Sequence, residues 1–384
     1  MTVVIQSVSD WLPQTQTWMY NQAKHLPADI ESHIFCKKTM NLDQFYLPNI
    51  HSHTDATLGS YYLDKSLRKL RIRRHWGFLV ETSKKHGAQL VHSHFGNVGW
   101  TDIGAVKQIG TRHIVTFYGL DVNMMHTQDK RWVKRYKKLF KSADLFLCEG
   151  PHMAKCIMGL GCPQEKIKVH HLGVDVNNIP FRPRRWQPGE PLRMLIAATF
   201  KEKKGIPYAL EAARQLQKKV DIEITIIGDS TPEARSRKEK EHILKVIEKY
   251  NMQSVVNMPG FQHYSVLMEQ AYKHHIFLSP SITAKDGDTE GGAPVTIIEM
   301  IASGMPVVST RHCDIPEVIK DRVTGLLAEE RDVTGLVSCL CQLLEQNNAW
   351  QYMLCAGREK VDKEFNVYMQ AKRLGAFYKR LVER

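Results

Sequence analysis

Two carboxylates frame a glycine-rich turn in EGGAPVTIIEMIASGMPVVST, residues 290–310: Glu290 opens it, and Glu299 follows after eight residues. Gly291 and Gly292 precede a run that reads as a helix, with Pro294 suited to its first position and Gly304 to its C-terminal stop. At such a start, free N–H groups and the positive end of the helix dipole favour an anion, ideally a diphosphate. Helical side chains lean toward the N-terminus, which brings Glu299 toward the same cleft. Carboxylates would repel a phosphate they touched. Their better use is to accept hydrogen bonds from sugar hydroxyls, Glu290 from one sugar and Glu299 from another. The competing reading leaves Glu299 a solvated helix residue and the glycines a simple reversal of the chain.

The elements around this turn read as α/β. TVVIQSV, AQLVHSHF, HIVTFYG and ADLFLCEG form apolar strand-like runs in the first half, and MLIAATF, IEITIIGD, VVNMPG, HIFLSPS and MPVVST in the second. Helix-like stretches separate them, the rhythm of a parallel sheet with crossover helices. Between them NNIPFRPRRWQPGEPLR, rich in proline and arginine, has the composition of an exposed linker. The chain of 384 residues thus divides into two doubly wound domains, 1–180 and 190–363. Ligands of such sheets sit beyond the carboxyl ends of the strands, and two domains in tandem face one across a cleft. The first strand is followed by SVSDWLPQTQ without GxGxxG, which argues against a dinucleotide enzyme.

The overall character is that of a strongly basic globular protein. Net charge is +13 and 43% of residues are hydrophobic, so an anionic partner is expected: nucleic acid, anionic lipid or a phosphorylated substrate. The N-terminus lacks the pattern of a signal peptide, and no apolar run is long enough to span a bilayer. Eight cysteines are scattered without metal spacings, which fits a reduced, cytoplasmic setting. His92 and His94 alternate on a strand and could share a face, but lack a nearby third ligand. Asp286 and Asp288 read as loop residues rather than a metal pair.

With these motifs in view, the chain resembles the family 4 retaining glycosyltransferases, closest to the exopolysaccharide and colanic-acid-type branch. In that family two glutamates, normally with seven residues between them, frame the donor-sugar turn; here eight intervene, so one extra residue falls within GGAP. WLPQTQTWMYNQ, VHSHFG, TFYGLDV, KIKVHHLGVDVNNIPF, KEKKG, IIGD and IPEVIKDRVTGLLA resemble further family segments, in the family's order. The resemblance implies a GT-B fold, two Rossmann-like domains facing a cleft, with a C-terminal helix at about 364–384 returning to the N-terminal, acceptor-side domain.

It also implies roles. Glu290 would accept hydrogen bonds from the donor sugar, and Glu299 from the nucleotide ribose. Gly291, Gly292 and Ala293 would offer backbone N–H groups, and Lys204 would meet the diphosphate as negative charge builds on the leaving group. Gly228 lies at the nucleotide-side strand end. Thr199 holds the place of an arginine that the family carries five residues before the lysine, so one cationic contact is missing or comes from elsewhere. Tyr118 replaces the family's histidine; it can donate a hydrogen bond but is a poor base near neutrality. Asp121 is its acidic neighbour, and an aspartate in a loop often only satisfies backbone N–H groups. Retention without an enzyme nucleophile implies front-face displacement, in which the leaving diphosphate takes the acceptor's proton.

The expected donor is therefore a UDP- or GDP-sugar as substrate, with no cofactor and no metal, and the acceptor a glycan or lipid-diphosphate-linked sugar. KSLRKLRIRRHWGFL (65–79) and KRWVKRYKKLFK (130–141) concentrate positive charge. The second spaces Trp132, Tyr136 and Phe140 by four, which suits either an anionic membrane surface or a helix burying its aromatics under solvated lysines. Two other classes remain: a sugar-nucleotide epimerase or hydrolase, and an RNA-binding module. The second lacks any matching motif.

Overall fold

The computed structural model describes residues 1–13, 16–346 and 349–383. Gln14 and Thr15 of the WLPQTQ motif and the final Arg384 lie outside them. The chain forms two compact units, one of residues Met1–Gly173 with Val367–Arg384, the other of Val174–Asn366.

The first unit is built on strands β1 (Thr2–Ser7), β3 (Ile30–Cys36), β5 (Ile50–Ser52), β6 (Leu90–His94), β7 (Arg112–Thr116), β8 (Leu145–Cys148) and β9 (Ile167–Val169). They form one parallel sheet in the order β5-β3-β1-β6-β7-β8-β9; two short strands, β2 (Asp10–Trp11) and β4 (Lys38–Thr39), pair separately. Crossover helices cover both faces, so the central strands are continuously apolar, with Val4, Ile5, Val91 and Ile114 fully buried. The Val367–Val382 helix packs Leu374, Tyr378 and Leu381 against Val4, Leu90 and Ile114. The Tyr378 hydroxyl accepts from Gln6 Nε2 at 3.0 Å and lies 2.7 Å from His92 Nδ1. His92 and His94 are both buried and spent in this internal network, which accounts for them without a metal.

The second unit has β10 (Leu192–Ala197), β11 (Ile222–Ile227), β12 (Val256–Gly260), β13 (Ile276–Ser279), β14 (Val307–Thr310) and β15 (Leu326–Ala328). All are parallel, in the order β12-β11-β10-β13-β14-β15. Strand order reverses between β10 and β13, and at such a switch point the loops leaving the two strands diverge and open a crevice.

Two readings are refined. The proline- and arginine-rich stretch is exposed at Pro180, Arg182 and Arg185 but is tied to the second unit: Trp186 joins that unit's core, and Arg184, 7% exposed, gives its guanidinium to the carbonyls of Ala271 and Ser303. Those carbonyls come from the ends of neighbouring helices, and a buried guanidinium satisfies several at once. The boundary accordingly falls at Gly173–Val174, ahead of the prolines. In the Arg131–Ser142 helix the aromatics face inward, Tyr136 and Phe140 being buried in the first unit's core. Its amphipathic pattern is that of a core helix with solvated lysines, the second of the two readings.

Candidate functional site

The site grows from the two loops at the switch point of the second unit. Leaving β10, the chain passes Thr199, half-buried, and turns through Glu202–Lys204 into the Ile206–Leu216 helix. Gly205 makes that turn at φ +62°, and a Cβ there would stand 1.9 Å from the Pro280 carbonyl oxygen at the end of β13. Gly228, at φ +130°, leaves the same 1.9 Å for a Cβ against the Ala198 carbonyl oxygen. Only glycine allows these backbones to approach so closely, and the approach brings the lysine loop against the turn at Glu290.

The Glu290 carboxylate meets Lys204 Nζ at 2.8 Å and accepts from the Ser281 hydroxyl at 2.9 Å, with Lys203 Nζ 3.9 Å away. Burial opposes its ionisation, but the charges of Lys204 and then Lys203 outweigh burial and hold its pKa at about 2. Its backbone is fixed as well. The Glu290 N–H donates to His312 Nε2 at 3.1 Å, so His312 Nδ1 carries the proton it shares with Glu330 at 2.7 Å. Glu330 in turn accepts from the Thr283 N–H at 2.7 Å. A relay of two side chains, His312 and Glu330, between two backbone N–H groups thus sets where the turn begins.

Gly291 then takes φ +79°, and Gly292 and Ala293 lead into the Val295–Ala302 helix, with Pro294 as its N-cap. Gly304, at φ +82°, ends it. Glu299 faces inward from the second turn of this helix and is 4% exposed, so it is not the solvated residue of the competing reading. Burial raises its pKa to about 7, against the opposing pull of a hydrogen bond from Tyr264. Two glutamates on one loop–helix segment therefore hold opposite protonation tendencies.

Beside them Lys203 Nζ contacts Asp288 at 3.1 Å and the Thr289 carbonyl at 2.7 Å. Arg235 reaches both Asp286 and Asp288 at 3.3 Å. These two carboxylates are engaged with cations, as loop residues.

Tyr118 and Asp121 belong to the first unit and are buried there. The Tyr118 hydroxyl lies 2.6 Å from His94 Nδ1, and burial pushes its pKa well up. Asp121 accepts from the Gly96 N–H at 2.7 Å and the Tyr118 N–H at 3.0 Å. Burial raises its pKa to about 6 against those bonds. The geometry gives Asp121 the backbone-satisfying task that the sequence left open.

The sequence passed over Lys203, Ser281, His312, Glu330 and Tyr264. Position alone could have marked Ser281 and His312, which follow β13 and β14 where strand ends meet the crevice. Glu330 and Tyr264 carry no comparable local sign.

Residues 179–360 match the family described as glycosyl transferases group 1, and residues 15–178 match glycosyltransferase family 4. The chain is 33% identical over 292 residues to WcaL of Salmonella typhimurium, provisionally named a colanic acid biosynthesis glycosyltransferase, covering 75% of this chain and 69% of that one. It is 32% identical over 309 residues to the amylovoran biosynthesis glycosyltransferase AmsK of Erwinia amylovora, covering 79% and 73%. Among solved structures, Anabaena HepE in complex with UDP and glucose superposes with a TM-score of 0.79 at 13% identity, covering 99% of this chain and all of that one. Sucrose-phosphate synthase from Thermosynechococcus elongatus gives 0.77 at 17% identity, with full coverage of both. At those identities the likeness bears on the fold, which is GT-B.

Proposed function

This chain belongs to the family 4 glycosyltransferases, and from that premise we propose that it moves a sugar, with retention, from a UDP- or GDP-sugar to a glycan or lipid-diphosphate-linked acceptor of an exopolysaccharide. The observation that carries the reading is the contact of Lys204 with Glu290 at 2.8 Å, beside a glycine turn and a helix start at the switch point of the second unit. Lys204 and Lys203 supply two cations for a diphosphate where the family's arginine is replaced by Thr199. Glu290 and Glu299 supply acceptors for the hydroxyls of the sugar and the ribose, and Gly291, Gly292 and Ala293 backbone donors.

In the step proposed, the bond from the anomeric carbon to the diphosphate oxygen breaks as the acceptor oxygen bonds to the same face. The acceptor's proton passes to the leaving diphosphate. Catalysis is then positioning plus electrostatic stabilisation of the leaving group. In this reading Lys203 and Lys204, rather than a metal, meet the diphosphate, exchanging part of their present contacts with Asp288 and Glu290 for it.

Peripheral association with an anionic membrane is the second part of the reading. Among the described residues no helix is long and apolar enough to cross a membrane. The first unit nevertheless exposes Leu58, Tyr62, Leu63, Leu70 and Ile72, from 58% to 76%, with Lys65, Lys69, Arg71 and Arg74 open to solvent among them. Exposed apolar side chains interspersed in sequence with cations suit a lipid interface.

A panel of nucleotide sugars tested for thermal stabilisation identifies the donor, and transfer is then followed with Glu290→Gln and Lys204→Ala. Both should abolish turnover while the protein remains folded. Near-normal turnover in either removes the site assignment, and release of free nucleotide without any acceptor requirement favours the hydrolase class. Flotation with phosphatidylglycerol vesicles, lost in Leu63→Asp, tests the membrane part.

A further inference from the structure

Away from the donor site, the first unit gathers three histidines from separate elements. His33 lies on β3, His51 on the neighbouring β5, and His86 caps the C-terminus of the Gly77–Lys85 helix. Their rings stand against one another, with centroids 4.1 Å apart for His33 and His86, 4.9 Å for His51 and His86, and 5.2 Å for His33 and His51. One nitrogen from each lies within 4.8 Å of the other two. Two further observations point to a ligand. His33 Nε2 lies 2.9 Å from the Glu31 carboxylate, which fixes the proton on that nitrogen and makes Nδ1 an acceptor, now hydrogen-bonded to His51 Nε2 at 3.0 Å and able to turn its lone pair to an ion in that bond's place. Carboxylate–histidine pairs of this kind orient imidazoles that bind metal. In addition, His86 Nε2 is buried and has no hydrogen-bond partner among the described residues.

We propose that His33, His51 and His86, with Glu31 behind His33, form a site for a divalent transition-metal ion of the zinc class. Three imidazoles with a fourth position left for water are a recurrent zinc environment, and imidazole also suits cobalt, nickel and copper. The 3.0 Å separation of His33 and His51, spanned by two bonds of about 2.1 Å, closes an angle of about 90°. A tetrahedral ion widens that separation to about 3.4 Å and draws in the other pairs, now within 4.8 Å. His51 on a three-residue edge strand and His86 at a helix end are both half-buried and placed to swing inward, whereas His33 is buried and anchored. The ion would pin β3, β5 and the helix end together, a structural clip separate from the transfer chemistry.

The test uses the full chain, stripped with a chelator and titrated with Zn²⁺, with Co²⁺ as a spectroscopic probe. Expected are saturable binding of one ion per chain, visible d–d bands of a nitrogen-ligated cobalt, and a melting temperature raised by several degrees. His51→Asn and His86→Asn should each weaken binding at least tenfold, and Glu31→Gln about 10- to 100-fold. His242→Ala, at an exposed histidine, should change nothing. Circular dichroism of each stripped variant separates loss of the site from loss of the fold, and Glu31→Gln leaves all three imidazoles in place. No saturable binding to the parent chain overturns the proposal, as does binding that survives both histidine substitutions.

Discussion

Replacing Glu299 by glutamine should stabilise the ligand-free protein above neutral pH while weakening its hold on donor. The buried carboxyl titrates at about 7 rather than its ordinary 4.5. A carboxyl whose pKa is raised on folding keeps more protons in the folded than in the unfolded chain between those two values. Stability therefore falls as pH rises from 4.5 to 7, and the loss is complete above 7. A displacement of that size corresponds to about 3 kcal/mol of penalty for the ionised form. Glutamine never ionises but accepts less strongly from Tyr264, so a net gain of about 1–3 kcal/mol is expected at pH 8 and little change at pH 5. Hydrogen exchange on peptides covering Val295–Ala302, at the two pH values, reads this locally without assuming that the two units unfold together. Donor affinity should move the other way, by roughly 10- to 100-fold, if the carboxylate accepts from a ribose hydroxyl. A variant less stable than the parent at pH 8, or one whose exchange keeps the parent's pH dependence, would refute the reasoning.

Glu290 should behave oppositely: held at about 2, it contributes up to about 3 kcal/mol above pH 4.5 that is lost as pH falls toward 2, and Glu290→Gln should flatten that acid limb in urea midpoints. Gly205→Ala places a methyl 1.9 Å from the Pro280 carbonyl oxygen; a loss of about 2 kcal/mol or more in stability should accompany reduced turnover, because Lys204 must move. His312→Ala should lower kcat at least tenfold with a smaller change in melting temperature, since it frees the Glu290 N–H without touching the core strands. Tyr378→Phe strands Gln6 Nε2 and His92 Nδ1 in the interior and should cost about 1–3 kcal/mol on denaturation.

What the sequence made legible was local. MLIAATF, HIFLSPS and MPVVST are apolar on both faces because helices cover both sides of a parallel sheet, and they became β10, β13 and β14. Glu290, the glycines and Glu299 are consecutive enough to be read as one loop and helix start. The remainder was invisible because it is assembled by topology. Ser281 and Lys203 reach Glu290 from either side of the strand reversal, and His312 arrives from the next strand. Composition could not place two stretches, for one reason. Prolines and arginines at 180–192 look solvent-facing in a string, and the aromatics among lysines at 130–141 fit a membrane face and a core equally. Arg184 finds buried carbonyls and Tyr136 a core only once the chain has closed around them.

The same assembly explains why one short segment carries two carboxyls of opposite character. Neither lies in water, so burial raises both proton affinities, and the difference lies wholly in neighbours. Glu290 sits where the loop after β10 delivers two ammonium groups. Glu299, one helical turn further in, meets only a phenol. Under the proposed function, a ribose hydroxyl at the inner position would meet a carboxylate with no lysine competing for it, whereas a sugar hydroxyl at Glu290 shares its carboxylate with Lys204. Leaving Glu299 without one costs stability in the empty protein, and a bound diol could return that free energy as affinity. The glycine turn makes this division possible. It lets nine residues of chain run from a charged loop to a buried helical turn without carrying the lysines inward.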